Sequence, residues 1–162
     1  MKYAAIIFGL LVVIIMIIVV IGYLLPVRHI ARIQFSVSAA PEAVWRRLRD
    51  VNDYACWRKK LNAVERSTDK SWIEVDQRHN RFPLKIVEEI PPEKMVTEID
   101  DPKLPFGGSW TFILGPGERG TIVTITEEGK VYNPIFRFVS KFIIGYSASI
   151  HQYANDLEGS FK

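Results

Sequence analysis

From Tyr3 to Leu25 the chain reads YAAIIFGLLVVIIMIIVVIGYLL, an apolar run without a charge. As a helix rising about 1.5 Å per residue it reaches roughly 34 Å, enough to cross a hydrocarbon core of about 30 Å. A cleaved signal peptide has a shorter apolar core, about 7–15 residues, and ends in a small-x-small site. This run ends instead in Tyr23-Leu24-Leu25-Pro26. Residues 1–27 are therefore read as an uncleaved, single-pass transmembrane anchor, with Tyr3 and Tyr23 near the two interfaces. Arg28, His29 and Arg32 follow the run while Lys2 precedes it. That excess predicts a soluble part on the cytoplasmic face of the cell (inner) membrane.

Residues 28–162 are expected to form one domain, long enough to bury a core and too short for two. The whole chain carries 21 basic and 18 acidic residues, a net charge of +3. This is too mild a balance to imply nucleic acid. Cys56 is the only cysteine, so no internal disulfide forms and the compartment is left open.

Ile33, Phe35 and Val37 alternate in period two and predict a half-buried first strand. Pro41 opens a helix in which Val44, Leu48 and Val51 recur on one face, with Arg46, Arg47 and Arg49 opposite. A second short helix or turn follows around Asn52–Trp57. From Leu61 to Thr126 six β-type runs, 62–66, 71–77, 84–90, 94–99, 108–114 and 121–126, are separated by hairpin-length breaks and predict an antiparallel meander. Asn133-Pro134 is a cap followed by a first-turn proline. It opens a predicted long C-terminal helix carrying Ile135, Phe138, Phe142, Tyr146, Ile150, Tyr153 and Leu157 at steps of three or four. Phe136, Val139 and Ile143 widen its apolar band beyond what a flat surface needs.

Ala40-Pro41-Glu42-Ala43-Val44-Trp45-Arg46-Arg47-Leu48-Arg49-Asp50, followed by Tyr54 and Trp57, resembles the opening of the START-like SRPBCC superfamily, which includes polyketide cyclase-like proteins and lipid-transfer domains. Phe106–Phe112 and Thr126–Phe138 resemble a membrane-anchored bacterial branch of it. The resemblance implies an α+β helix-grip fold: a bent antiparallel sheet of about seven strands wrapped around the C-terminal helix, with two short helices after the first strand. It also implies an apolar cavity between sheet and helix.

Trp57, Trp72, Trp110, Phe112, Phe138, Phe142 and Tyr146 are candidates for the wall of such a cavity, with core packing as the alternative for each. Around the third strand, Ile73 and Val75 are assigned to the inner face together with Gln77 and His79, which leaves Glu74 and Asp76 to solvent. Glu127, Glu128 and Arg137 bracket the turn into the last helix, either locking that junction or forming a polar cavity mouth. Arg46, Arg47, Arg49, Arg58, Lys59 and Lys60 form a basic run that either is simply solvated or meets anionic lipid. His29, His79 and His151 are isolated and Cys56 has no partner at ligand spacing, so no metal is expected. No nucleotide or serine-hydrolase motif occurs, and no cofactor is expected.

The leading reading is a membrane-tethered binding or carrier domain for a hydrophobic small molecule or lipid. An enzyme of the cyclase, dehydratase or hydrolase kind, using His79, Gln77 or a buried carboxylate in the same cavity, is the first alternative. A regulatory module contacting a membrane partner through the basic run is the second.

Overall fold

The computed structural model describes Lys2–Lys162. The chain runs through α1 (Lys2–Leu24), β1 (Arg28–Val37), α2 (Pro41–Arg49), a 3₁₀ turn (Val51–Asp53), α3 (Tyr54–Trp57), β2 (Leu61–Arg66), β3 (Ser71–Asp76), β4 (Arg81–Ile90), β5 (Lys94–Ile99), β6 (Phe106–Gly117), β7 (Gly120–Val131), α4 (Pro134–Val139), a π-helical turn (Ser140–Ile144) and α5 (Ala148–Gly159). The strands form one antiparallel sheet in the order β1-β7-β6-β5-β4-β3-β2. This is the seven-stranded α+β arrangement expected, with the first strand carried across to pair with the last.

β1 pairs with β7 along its whole length, from Arg28 opposite Lys130 to Val37 opposite Thr121. Its alternation explains this: Ala31 and Val37 are buried, Ile33 and Phe35 partly so, and Arg32, Gln34 and Ser36 face water. Irregular register between Leu61 and Ala63, and between Ile86 and Glu88, interrupts the ladders of β2 and β4. Such bulges bend a sheet. α2 begins at Pro41 after an extended Ala40, and buries Val44 and Leu48, one turn apart, completely. The Tyr54 hydroxyl donates to the Leu48 carbonyl and ties α3 to the end of α2.

The last helix differs from expectation. Its start is as read: the Asn133 side chain accepts from the amides of Ile135 and Phe136, and Pro134 takes the first helical position. The apolar band then divides. Gly145 sits at φ 84°, a left-handed conformation that ends the π-helical turn and redirects the chain. Only α5 is gripped by the sheet, through Ile150, Tyr153, Ala154 and Leu157 at helical spacing, all buried. Periodicity missed the break because the spacing of apolar residues continues across it.

α1 is long and apolar enough to cross a membrane. Its C-terminal part is not free: α4 lies along it. A Cβ at Gly22 would sit 2.0 Å from the Pro134 carbonyl oxygen, so only glycine permits the approach. Arg137 completes the junction, donating to the carbonyls of Leu25 (2.9 Å) and Tyr132 (3.1 Å). The Val131 amide donates to the Val27 carbonyl at 2.8 Å, so the chain joins the sheet as soon as it leaves the helix.

Candidate functional site

A cavity of about 690 Å³ lies between the bent sheet and α5. Phe82, Leu84, Ile99, Phe106, Trp110 and Phe112 supply an apolar wall, contributed by β4, β5 and β6. Tyr153 closes the α5 side, with ring centroids 5.4 Å from both Trp110 and Phe112. Volume and wall are those of a pocket for a small hydrophobic molecule.

The end of the cavity beside α3 is polar. Arg58, just past α3, pairs with Glu74 of β3 there. The guanidinium also lies 4.8 Å from the centroid of Tyr153 and 5.3 Å from that of Tyr54. Burial works against the Arg58 charge, yet Glu74 and the two phenols hold its pKa above the ordinary arginine value. Burial pushes the phenols of Tyr54 and Tyr153 upward, so both stay protonated. The Tyr153 hydroxyl is buried and has no hydrogen-bond partner among the described residues. Asp156, on the same face of α5, accepts from the Lys59 amide (3.1 Å) and from the Gln152 side chain (2.9 Å).

A second polar group stands at the opposite end. Glu127 of β7 accepts from the Ser149 hydroxyl (2.7 Å), and its other oxygen is 3.6 Å from His29 Nε2. Burial raises the Glu127 pKa, opposed by Ser149 and His29. The His29 ring stacks on Tyr146 with centroids 4.1 Å apart and fits over Gly129, where a Cβ would approach the ring to 2.2 Å. Ser149 and Asp156 are seven residues apart on α5, so the two polar ends are separated by about 10 Å of largely aromatic wall.

Of the residues anticipated from sequence, Trp72, Gln77, Trp110, Phe112, Glu127 and Glu128 line the cavity. Arg58 and Lys60, expected at a lipid-facing surface, also line it, and the others lie elsewhere. The assignment of β3 is inverted: Trp72 is buried in the core, which turns Glu74 inward with it, while Ile73 faces away. His79 is exposed because β3 ends at Asp76, whose carboxylate accepts from the amides of Arg78 and Asn80 and closes a turn. Gln77 reaches the rim from that turn and donates to the Leu61 carbonyl at 3.0 Å. Trp57 packs edge-on behind Tyr54 and Tyr153, and is buried outside the lining. Phe138 and Phe142 pack on each other at 5.0 Å, outside the cavity with α4 and the π turn. Tyr146 stacks on His29 instead of lining the space. Arg137 secures the α1 junction and not a cavity mouth.

The basic run is largely committed to ion pairs: Arg47 with Asp53, Arg49 with Asp69 and Glu89, Arg58 with Glu74. Arg46 and Lys59 are exposed, and Lys60 borders the cavity. α2 follows the far end of β1, up to about 30 Å from the end that adjoins α1. Tyr54, Glu74, Tyr153, His29 and Ser149 were not singled out from sequence as site residues. The signal present in the sequence was the large Trp72, which competes with Ile73 and Val75 for the inner face. Among the described residues, no group of three or more His, Cys, Asp or Glu could hold a metal ion.

Residues 28–156 match the protein family described as polyketide cyclase / dehydrase and lipid transport. No curated protein matches the chain. Among solved structures, it is similar to a START superfamily protein from Mycobacterium smegmatis, at 15% identity and a TM-score of 0.65 over 82% of this chain and 97% of that one. A protein from Chromobacterium violaceum gives 19% identity and a TM-score of 0.62, over 82% and 96%. A conserved protein from Geobacillus kaustophilus gives 13% and 0.65, over 83% and 94%. At these identities the likeness is one of fold.

Proposed function

From its membership of the polyketide cyclase / dehydrase and lipid transport family, we propose that the chain is a membrane-tethered carrier for a hydrophobic small molecule or lipid, with residues 1–27 as anchor and 28–162 as binding domain. The observation that carries this reading is the 690 Å³ cavity with an aromatic wall and a polar end. Trp72, Trp110 and Phe112 contact the apolar body of the ligand. Tyr153, with its unpartnered hydroxyl, and Arg58 donate hydrogen bonds to an oxygen at one end of it. Glu127 and Glu128 border the other end. A ligand of this kind dissolves in lipid, and a tether keeps the domain where the ligand is found. The positive residues just after α1 favour a cytoplasmic domain.

The full chain, purified in mild detergent, is extracted with organic solvent and analysed by mass spectrometry, then titrated with an apolar fluorophore. A defined co-purifying amphiphile or saturable fluorophore binding, lost on filling the space with Ser109→Trp, is expected. An empty protein that binds no apolar probe overturns the reading.

A second reading is favoured by Glu127, a partly buried carboxyl with raised proton affinity beside His29. In an enzyme of the cyclase or dehydratase kind it acts as the acid/base group. Turnover of a bound ligand that is abolished by Glu127→Gln, with uptake unchanged, would replace the carrier reading by this one.

A further inference from the structure

α4 and the π turn expose apolar residues that no other described part of the chain covers. Phe142, Ile143 and Ile144 are 57%, 71% and 61% exposed, and Ile135 and Phe136 beside them are also exposed. In a domain bathed by water on every side, such a patch calls for an apolar partner. Its position identifies that partner. The helix it belongs to lies along α1, where Ile18, Val19, Ile21, Gly22 and Leu25 are wholly or partly covered while the positions before them are exposed. Ile18 to Leu25 spans about 10 Å of helix, the last third of a core about 30 Å thick.

We propose that Pro134–Ile144 is a second membrane-embedded element, a short wedge that enters the hydrocarbon of one leaflet beside α1. The occupant of its exposed face is lipid acyl chain. This rests on the reading of α1 as a membrane span.

The polar groups of the segment fit that depth. Arg137 is buried, its guanidinium bonded to the Leu25 and Tyr132 carbonyls and lying 6.0 Å from the Tyr23 ring, at the level where the apolar run ends. Lys141 is the one other charge, and its flexible stem lets the ammonium reach head groups while the aliphatic part stays in the apolar layer. The Gly22–Pro134 contact fixes the segment against α1, so the wedge cannot swing out to water without breaking the junction. Gly145 and Tyr146 then connect the wedge to the His29–Glu127 end of the cavity, so that this end, and not the Arg58–Glu74 end, faces the bilayer. A hydrophobic ligand enters there without crossing water.

The test uses the full chain carrying Cys56→Ser. Single cysteines are introduced by Ile143→Cys or Phe142→Cys on the wedge, Ile15→Cys on α1 and Lys103→Cys on an exposed loop. Each is labelled with an environment-sensitive fluorophore and reconstituted in phosphatidylcholine/phosphatidylglycerol vesicles with or without acyl-chain nitroxide lipid. At the two wedge positions and Ile15, several-fold quenching by nitroxide lipid is expected, with Lys103 unaffected. Quenching at Ile15 but not at either wedge position overturns the wedge while leaving the span intact. No quenching at Ile15 overturns both. Wedge probes that report an apolar setting without lipid quenching, and cross-link to a second chain, overturn lipid as the occupant in favour of a protein partner.

Discussion

The Arg58–Glu74 pair offers the sharpest quantitative test of the cavity. Their side chains are 17% and 10% exposed, and Trp72 Nε1 also donates to Glu74 at 3.3 Å. Replacing Glu74 by leucine leaves a buried guanidinium without its counter-charge and an indole N–H without its acceptor. Breaking a buried pair by removing one partner costs about 3–5 kcal/mol. With this much residual exposure the lower end applies, so about 3 kcal/mol is expected, roughly 10 °C in Tm for a domain of this size. Removing both charges with Arg58→Met and Glu74→Leu takes away the uncompensated ion, so the double variant is expected within about 1 kcal/mol of wild type. The assay is thermal unfolding of the full chain in mild detergent, followed by near-ultraviolet circular dichroism of the cavity tryptophans. A Glu74→Leu loss below about 1 kcal/mol, or a double variant as unstable as that single one, refutes the buried-pair reasoning. If the double variant is stable yet retains a polar ligand with unchanged affinity, Arg58 has no part in recognition.

Further expectations concern the two junctions and the exposed thiol. Gly22→Leu places side-chain atoms where the Pro134 carbonyl lies, so α4 should lift from α1, visible as faster amide exchange across Pro134–Val139 with β6 and β7 unchanged; unaltered exchange would contradict the docking. Because burial raises the Glu127 pKa in the folded state, its contribution to stability is present below the ordinary carboxylate pKa and declines as pH rises through the folded value. Wild type should lose Tm across that window, and Glu127→Gln should flatten the profile; parallel profiles would count against a buried carboxyl. Cys56 is exposed, and a hydrogen bond to Asp53 holds its thiol pKa up. It should react slowly with a membrane-impermeant maleimide, and only after cells are opened if the domain is cytoplasmic; labelling of intact cells would reverse the orientation.

The sheet was legible because its strands carry their own evidence: alternation in β1 and β7, and hairpin-length breaks between the rest, polar at Thr68-Asp69-Lys70 and bearing proline or glycine after β4, β5 and β6. The helices were legible at their starts, where Pro41 and Asn133-Pro134 act locally. What escaped was anything decided by the third dimension. In β3, Ile73 and Val75 make as good an apolar face as Trp72 does, and only a partner for Glu74, supplied by Arg58 from sixteen residues upstream, makes the inverted face affordable. A count of apolar residues cannot see that pairing. In the last segment the spacing is helical throughout, yet α4 lies along α1 with Ile135 and Phe136 exposed, while α5 turns its apolar residues toward the sheet. One periodic band serves two different partners, with Gly145 between them. The same division removed Phe138 and Phe142 from the expected cavity wall.

The contact between Gly22 and Pro134 has a mechanical consequence. A helix joined to its domain by a slack linker can tilt while the domain hangs level. Here α1 is clamped to α4 and its chain enters the sheet ladder at Val27, so helix and domain turn as one lever. A bilayer thinner than the apolar run makes a spanning helix tilt, and that tilt would tip the cavity by the same angle. Membrane thickness would then set how squarely the His29–Glu127 end meets the lipid, and the domain would read the dimension of the sheet it stands on.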